Sequence, residues 1–404
     1  MTRKLDFSVD PDPTLRRVAV FKSNPLPLSE TFILEQAASF RRWQPRLFGY
    51  AQLHGGLDLS SVDHSTLWSG KRPTWSRLLA RIAGRRPLQH RMAKAIRTFH
   101  PDIVHVHFGT ELQQNWGVFE GLGVPIVATL HGRDITVRTD VWESGVCGRR
   151  MIEYPRRLRS LASDPRVTFV AVSRSIREAA IEFGIPPDKL VVQYIGIDIE
   201  RFSPSSLGEV AGSLVLFVGR MVEKKGVPYL IQAMARVRER RPDTRLVLIG
   251  DGPELGSCKD LAERLGVHAE FQGAQSPESV LEWMRRARVL SLPSVTASDG
   301  DAEGFGMVIL EAQACGVPVI TSARGGAEEG IEDGVTGMAH AEKDVDAIAR
   351  GILDLLQDDP LWSRMASAAR SRMVEKFDIR SCTRSLEDRF DELVATFGWQ
   401  GSPT

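Results

Sequence analysis

Two stretches carry residue types that could manage a phosphorylated ligand. The first, Gly219-Arg220-Met221-Val222-Glu223-Lys224-Lys225-Gly226, follows an apolar run at 214–218. Arg220 can fork onto two phosphate oxygens and Lys225 adds a mobile point charge, so together they could neutralise a diphosphate. The second is SDGDAEGFGMVILE at 298–311. Gly304 and Gly306 let backbone approach a ligand closely, and a helix opening near Gly306 would offer unpaired N–H groups with positive dipole character. Glu303 and Glu311 on one helix would point about 80° apart, so the spacing predicts Glu303 in the loop and Glu311 on the second helical turn. A carboxylate there can accept two ribose hydroxyls while the phosphates sit at the helix start. The alternative is that both acids merely favour a helix N-terminus, and that the basic residues are ordinary solvated charges.

Weaker signals lie elsewhere. His131-Gly132-Arg133-Asp134 follows the apolar run 126–130, on the side of a strand where α/β sheets bind ligands. His105 and His107 are two apart and could share one strand face as metal ligands, but with no third ligand signalled, packing is the simpler reading. Ser29-Glu30-Thr31 could line the cleft or, more simply, cap a helix. Gly250-Asp251-Gly252-Pro253 departs from a dinucleotide fingerprint, since the next glycine is Gly256, and no nicotinamide site is read from it.

These residues need scaffolding, and the chain supplies a repeating one. Short, nearly continuous apolar runs at 17–21, 103–107, 126–130, 168–172, 214–218, 246–249, 289–292 and 319–321 suit strands buried on both faces of a parallel sheet. Amphipathic segments such as 227–240 and 279–286 lie between them, which predicts α/β layers. The series restarts near 213 after a Ser-, Gly- and Pro-rich stretch, placing a linker within 196–212. With 404 residues, two domains are expected: 1–200, and 201–384, with a final helix over 385–404 packing back on the first.

Composition narrows the class. A net charge of +1 argues against nucleic acid as a partner through bulk electrostatics. Cys147, Cys258, Cys315 and Cys382 lie far apart, which fits reduced thiols in a cytoplasm rather than a disulfide framework or zinc knuckle. No signal-peptide core stands at the N-terminus, and no run approaches the ~18 apolar residues of a membrane helix. The segment 71–100 holds nine Lys and Arg residues and no acid. It is either a patch for a membrane surface or anionic acceptor, or a solvated helix face.

Taken in order, HGRD at 131–134, SRSI at 173–176, VGRMVEKKG at 218–226, IGDGPE at 249–254, FQG at 271–273 and EGFGMVILEAQACGVPVI at 303–320 resemble the retaining glycosyltransferases of family 4. The resemblance implies the GT-B fold, two Rossmann-like domains facing across a cleft, with the nucleotide in the C-terminal one. It implies that Arg220 and Lys225 hold the diphosphate and Glu311 the ribose. Glu303 would stand near the donor sugar's hydroxyls, with Gly304, Phe305, Gly306 and Met307 offering backbone to it. Gly273 and Ala274 match where the base packs, and His131 reaches the reacting centre from the other domain. The implied activity is hexosyl transfer from a nucleoside diphosphate sugar, uridine favoured over guanosine, to a saccharide, lipid-linked or small-molecule hydroxyl. It proceeds with retention and without a metal or other cofactor. A loop PLPLSETFI replaces the family's Gly-Gly after the first strand and resembles a branch of bacterial exopolysaccharide or capsule assembly. An epimerase of similar architecture and a non-catalytic sugar-nucleotide binder are the competing expectations.

Overall fold

The computed structural model describes residues 15–24, 26, 30–51, 56–68, 86–205 and 212–400. Ser29 and half of the basic segment, residues 71–85, lie outside them. Two all-parallel sheets form, one from each half of the chain. The first takes β1 (Arg16–Phe21), β2 (Trp43–Ala51), β3 (His64–Trp68), β4 (Ile103–His107), β5 (Ile126–Leu130), β6 (Val167–Ala171) and β7 (Leu190–Val192), in the order 3-2-1-4-5-6-7. The second takes β8 (Leu214–Val218), β9 (Arg245–Ile249), β10 (Ala269–Gly273), β11 (Val289–Leu292), β12 (Val319–Ser322) and β13 (Gly337–His340), in the order 10-9-8-11-12-13. Both orders reverse direction beside their first strand, β1 or β8, and ligand crevices open at such points.

Central strands are buried along nearly their whole length: Ile103, Val104 and Val106 of β4, and Leu214 through Phe217 of β8, are inaccessible to solvent. That is why these runs are continuous rather than alternating. At the strand ends, Gly250 and Gly252 bring their backbones against the carbonyls of Gly219 and Met221, approaches that a Cβ would block. The glycines thus serve loop-to-loop packing in the second domain.

Five helices matter to the site: α1 (Thr31–Ser39), α2 (Arg174–Glu182), α3 (Met307–Ala314), α4 (Gly325–Glu329) and α5 (Ile379–Gln400). Helix α5 carries the chain back onto the first sheet. Its Phe390 stacks on Phe40 and meets Trp43 edge-on, and buried Glu387 accepts the backbone N–H groups of Arg41, Arg42 and Trp43 at 2.7–3.2 Å. The chain therefore crosses between the sheets twice. The crossings touch, with Ile197 N–H donating to the Phe377 carbonyl (2.7 Å) and Ile379 N–H donating to the Ile197 carbonyl (2.9 Å).

The described part of the basic segment is a helix, Arg86–Phe99, that buries Met92, Ala93, Ile96 and Phe99 and turns Arg91, Lys94 and Arg97 outward. No described helix is long and apolar enough to cross a membrane. The four cysteines are free.

Candidate active site

Helix α3 starts where the sequence expects it. Gly306 is its N-cap, in the left-handed conformation (φ 74°) that a side chain resists, and Met307 and Val308 open the first turn onto a cavity of about 710 Å³ between the sheets. A helix start leaves its first N–H groups without intrahelical partners and is positive by its dipole. Arg220, Lys224 and Lys225, from the loop after β8, line the same cavity with Glu303 and Glu311.

Lys225 Nζ lies 2.5 Å from Glu303 Oε2, both side chains largely buried, and Ser294 Oγ adds a weaker contact at 3.4 Å. Burial alone would raise the Glu303 pKa, but Lys225 and Lys224 hold it below the ordinary carboxylate value. Arg220 is exposed and makes no ion pair among the described residues, so its guanidinium is uncommitted. Lys224 instead holds Asp301 at 3.0 Å and the Ala302 carbonyl at 3.3 Å.

Glu311 points into the cavity from the second turn of α3. Burial and then the neighbouring Glu35 carboxylate push its pKa up to about 7, against the opposing pull of Arg201 and Lys225. Glu35 comes from α1 across the cleft and pairs with Arg201 at 2.9 Å. Sequence reasoning missed both Glu35 and Arg201: each becomes part of the site only through the meeting of the two domains, and no local pattern marks that.

His131 approaches from the other side. Its carbonyl would lie 1.8 Å from a Cβ at Gly304, so only glycine lets the two loops touch. Buried Asp134 shapes this turn by accepting the N–H groups of Gly109, His131 and Gly132 at 2.9–3.1 Å. The His131 ring packs on Phe32 and Phe108, and its Nε2 meets His107 Nδ1 at 3.1 Å. Burial first, then Lys22 and His105, lowers its pKa well below the usual histidine value, so the ring is neutral near pH 7. His105 is hydrogen-bonded to Thr129 at 2.7 Å, so of the two strand histidines it is His107 that meets His131. No metal-binding group of three or more His, Cys, Asp or Glu occurs among the described residues.

The structure thus brings Arg220, Lys225, Glu303, Gly306, Met307 and Glu311 around one cavity. Gly304 stands behind it against His131, and the buried Phe305 side chain stacks on Tyr194 and meets Phe377 at a tilt. Gly273 and Ala274 immediately precede Gln275, and it is Gln275, Pro277 and Val280 that line the wall. One expectation is corrected: Glu30 precedes α1 but makes no side-chain cap, and pairs with Lys22 at 3.2 Å instead. A cation across the strand end outcompetes the helix N–H groups for this partly buried acid.

The loop before Glu303 ties the domains together. Asp301 accepts Thr136 Oγ1 at 3.1 Å and an Arg133 contact at 3.3 Å while holding Lys224, and Arg138 donates to the Ser298 carbonyl at 2.7 Å.

Two facing parallel sheets with cations, a helix start and two carboxylates gathered on one of them form a cleft suited to a phosphorylated ligand. Comparison with known proteins agrees. Residues 29–201 match the model described as Glycosyltransferase Family 4, and residues 199–372 match Glycosyl transferases group 1. The chain is 34% identical over 270 residues to the GDP-mannose-dependent alpha-(1-6)-phosphatidylinositol monomannoside mannosyltransferase of Mycolicibacterium smegmatis, covering 63% of this chain and 67% of that one. It is 28% identical to the glycogen synthase of Mycobacterium tuberculosis, over 78% and 74% of the two. In fold it is similar to the Anabaena HepE protein solved with UDP and glucose, with a TM-score of 0.74 at 22% identity over 93% and 99% of the chains. The chain belongs to the family 4 glycosyltransferases.

Proposed function

We propose that this enzyme transfers a hexose from a nucleoside diphosphate sugar to an acceptor hydroxyl, retaining the anomeric configuration, in polysaccharide or glycoconjugate synthesis. The observation that carries the reading is uncommitted Arg220 beside Lys225, the start of α3 and Glu311 around one cavity. Arg220, Lys225 and the helix dipole would take the negative charge that develops on the diphosphate as the bond from its terminal oxygen to the anomeric carbon breaks. The acceptor oxygen forms the new bond on the same face, and its proton passes to the departing phosphate oxygen. On this route no pair of carboxylates flanks the bond as in a glycosidase, and no metal enters. Glu303, held ionised by Lys225, would accept donor-sugar hydroxyls. Glu311 would take the ribose, and neutral His131 would stand beside the reacting carbon.

The family resemblance favours uridine, whereas the mycobacterial relative's name specifies GDP-mannose. Calorimetric titration with UDP and GDP decides the nucleoside, and Lys225→Ala and Glu311→Ala should both weaken the one that binds. Unchanged affinity in both variants would remove the site. Free nucleoside diphosphate released only when an acceptor is added separates transfer from epimerisation.

A further inference from the structure

Glu329, at the end of α4, belongs to no part of the cavity described above, yet four donors converge on its carboxylate. Oε2 accepts the Arg174 N–H at 3.0 Å, Arg174 Nε at 3.4 Å and the Tyr194 hydroxyl at 2.9 Å, and Oε1 accepts the Ser175 N–H at 2.8 Å. All four donors come from the first half of the chain, while Glu329 itself stands on the second sheet's side. Its carboxylate occupies the N-terminus of α2, where backbone N–H groups and the helix dipole favour a negative charge.

The helix N-terminus it sits on and Tyr194 together grip the loop 303–306 from behind. Ser173, the N-cap of α2, donates through Oγ to the Gly304 carbonyl at 2.8 Å. The Tyr194 ring stacks on Phe305 with centroids 5.3 Å apart. From the opposite side, Gly326 of α4 donates its N–H to the Glu303 carbonyl at 3.2 Å. The loop is therefore clamped between α2 and α4, and Glu329 fastens those two helices to each other.

We infer that Glu329 is a positioning residue for the sugar end of the donor: it sets Glu303 and the Gly304–Gly306 backbone through Ser173 and Tyr194 without touching the ligand. This rests on the donor site proposed above. Arg220 and Glu311, assigned to the nucleoside diphosphate, lie outside the clamped loop, and Lys225 meets that loop through Glu303. Loss of Glu329 should then separate the two halves of donor recognition.

The test is calorimetry with UDP, GDP, UDP-glucose and GDP-mannose on the full chain, comparing wild type with Glu329→Ala and Ser173→Ala. Both variants should lose about tenfold or more in affinity for the intact sugar nucleotide, and less than about twofold for the matching nucleoside diphosphate. Glu329→Gln keeps the side-chain size but turns an amide toward the N–H donors of α2, and should show the same split even if the alanine variant folds poorly. Glu329→Asp, which keeps the charge, should recover part of the loss. Equal weakening of both ligands, or no change in either, overturns the inference while leaving the donor site intact. A wild-type protein that binds none of the four compounds overturns both.

Discussion

Glu311→Gln should make the unliganded protein more stable at pH 8 and a poorer binder of nucleotide. Burial and the neighbouring Glu35 push the Glu311 carboxyl from its ordinary value of 4.5 up to about 7 in the fold. Below pH 4.5 it is protonated in both folded and unfolded chains and contributes no pH dependence. Between 4.5 and 7 the folded chain keeps a proton that the unfolded chain has released, so stability falls as pH rises through that window. Above pH 7 the whole penalty of ionising a buried acid beside Glu35 is present. A shift of that size corresponds to about 3 kcal/mol as an upper bound, a few degrees in melting temperature for a chain of this length. Glutamine keeps the shape and cannot ionise, so the variant should gain on wild type by a growing margin from pH 5 to pH 8. Subtracting the two curves cancels the contribution of His105, His107 and His131, whose lowered pKa values act on both proteins alike. Ribose hydroxyls donate to the carboxylate, so wild-type nucleotide affinity should rise with pH across the same window and the variant's should not. Parallel melting curves from pH 5 to 8 would refute the reasoning.

Lys225→Ala strands Glu303 in a buried site and should destabilise the fold by about 3 kcal/mol, with most of the loss recovered in Lys225→Met/Glu303→Gln; urea unfolding of the wild type and both variants checks it. His131→Ala should lower turnover by at least about tenfold while changing donor affinity little, because the ring stands on the opposite domain from the diphosphate cations; steady-state kinetics beside calorimetry separates the two effects. Asp301→Ala removes the bridge from Lys224 to Thr136 and Arg133 and should enlarge the radius of gyration of the free enzyme in small-angle scattering as the cleft opens.

The sequence reveals the scaffold best where one physical demand dominates. The runs at 103–107, 126–130, 214–218 and 289–292 coincide with β4, β5, β8 and β11, because strands covered on both faces tolerate little but apolar residues. Outer strands escape that test. β2 carries Gln44, Pro45 and Arg46 and β10 reads AEFQG, both mixing polar residues into positions that are only partly buried, and β13 is a run of four, GMAH, with two polar or small residues at its ends. The split between loop-borne Glu303 and helix-borne Glu311 was legible from helical geometry alone. What local pattern could not show was anything made by the meeting of the halves. Glu35 reads as a lone acid among apolar and small residues, Tyr194 as a residue just ahead of the linker and Glu329 as one of two adjacent glutamates. Ser173 did carry a signal, in the SRSI motif, but its work on the Gly304 carbonyl emerges only once both sheets are in place.

A crystal structure of the enzyme with the nucleoside diphosphate it binds is the most direct test of the central claim. The two phosphates should lie within hydrogen-bonding distance of the Arg220 guanidinium, Lys225 Nζ and the N–H groups opening α3, with both ribose hydroxyls on Glu311. A diphosphate seated elsewhere, with Arg220 and Lys225 left to solvent and Glu303, would contradict it.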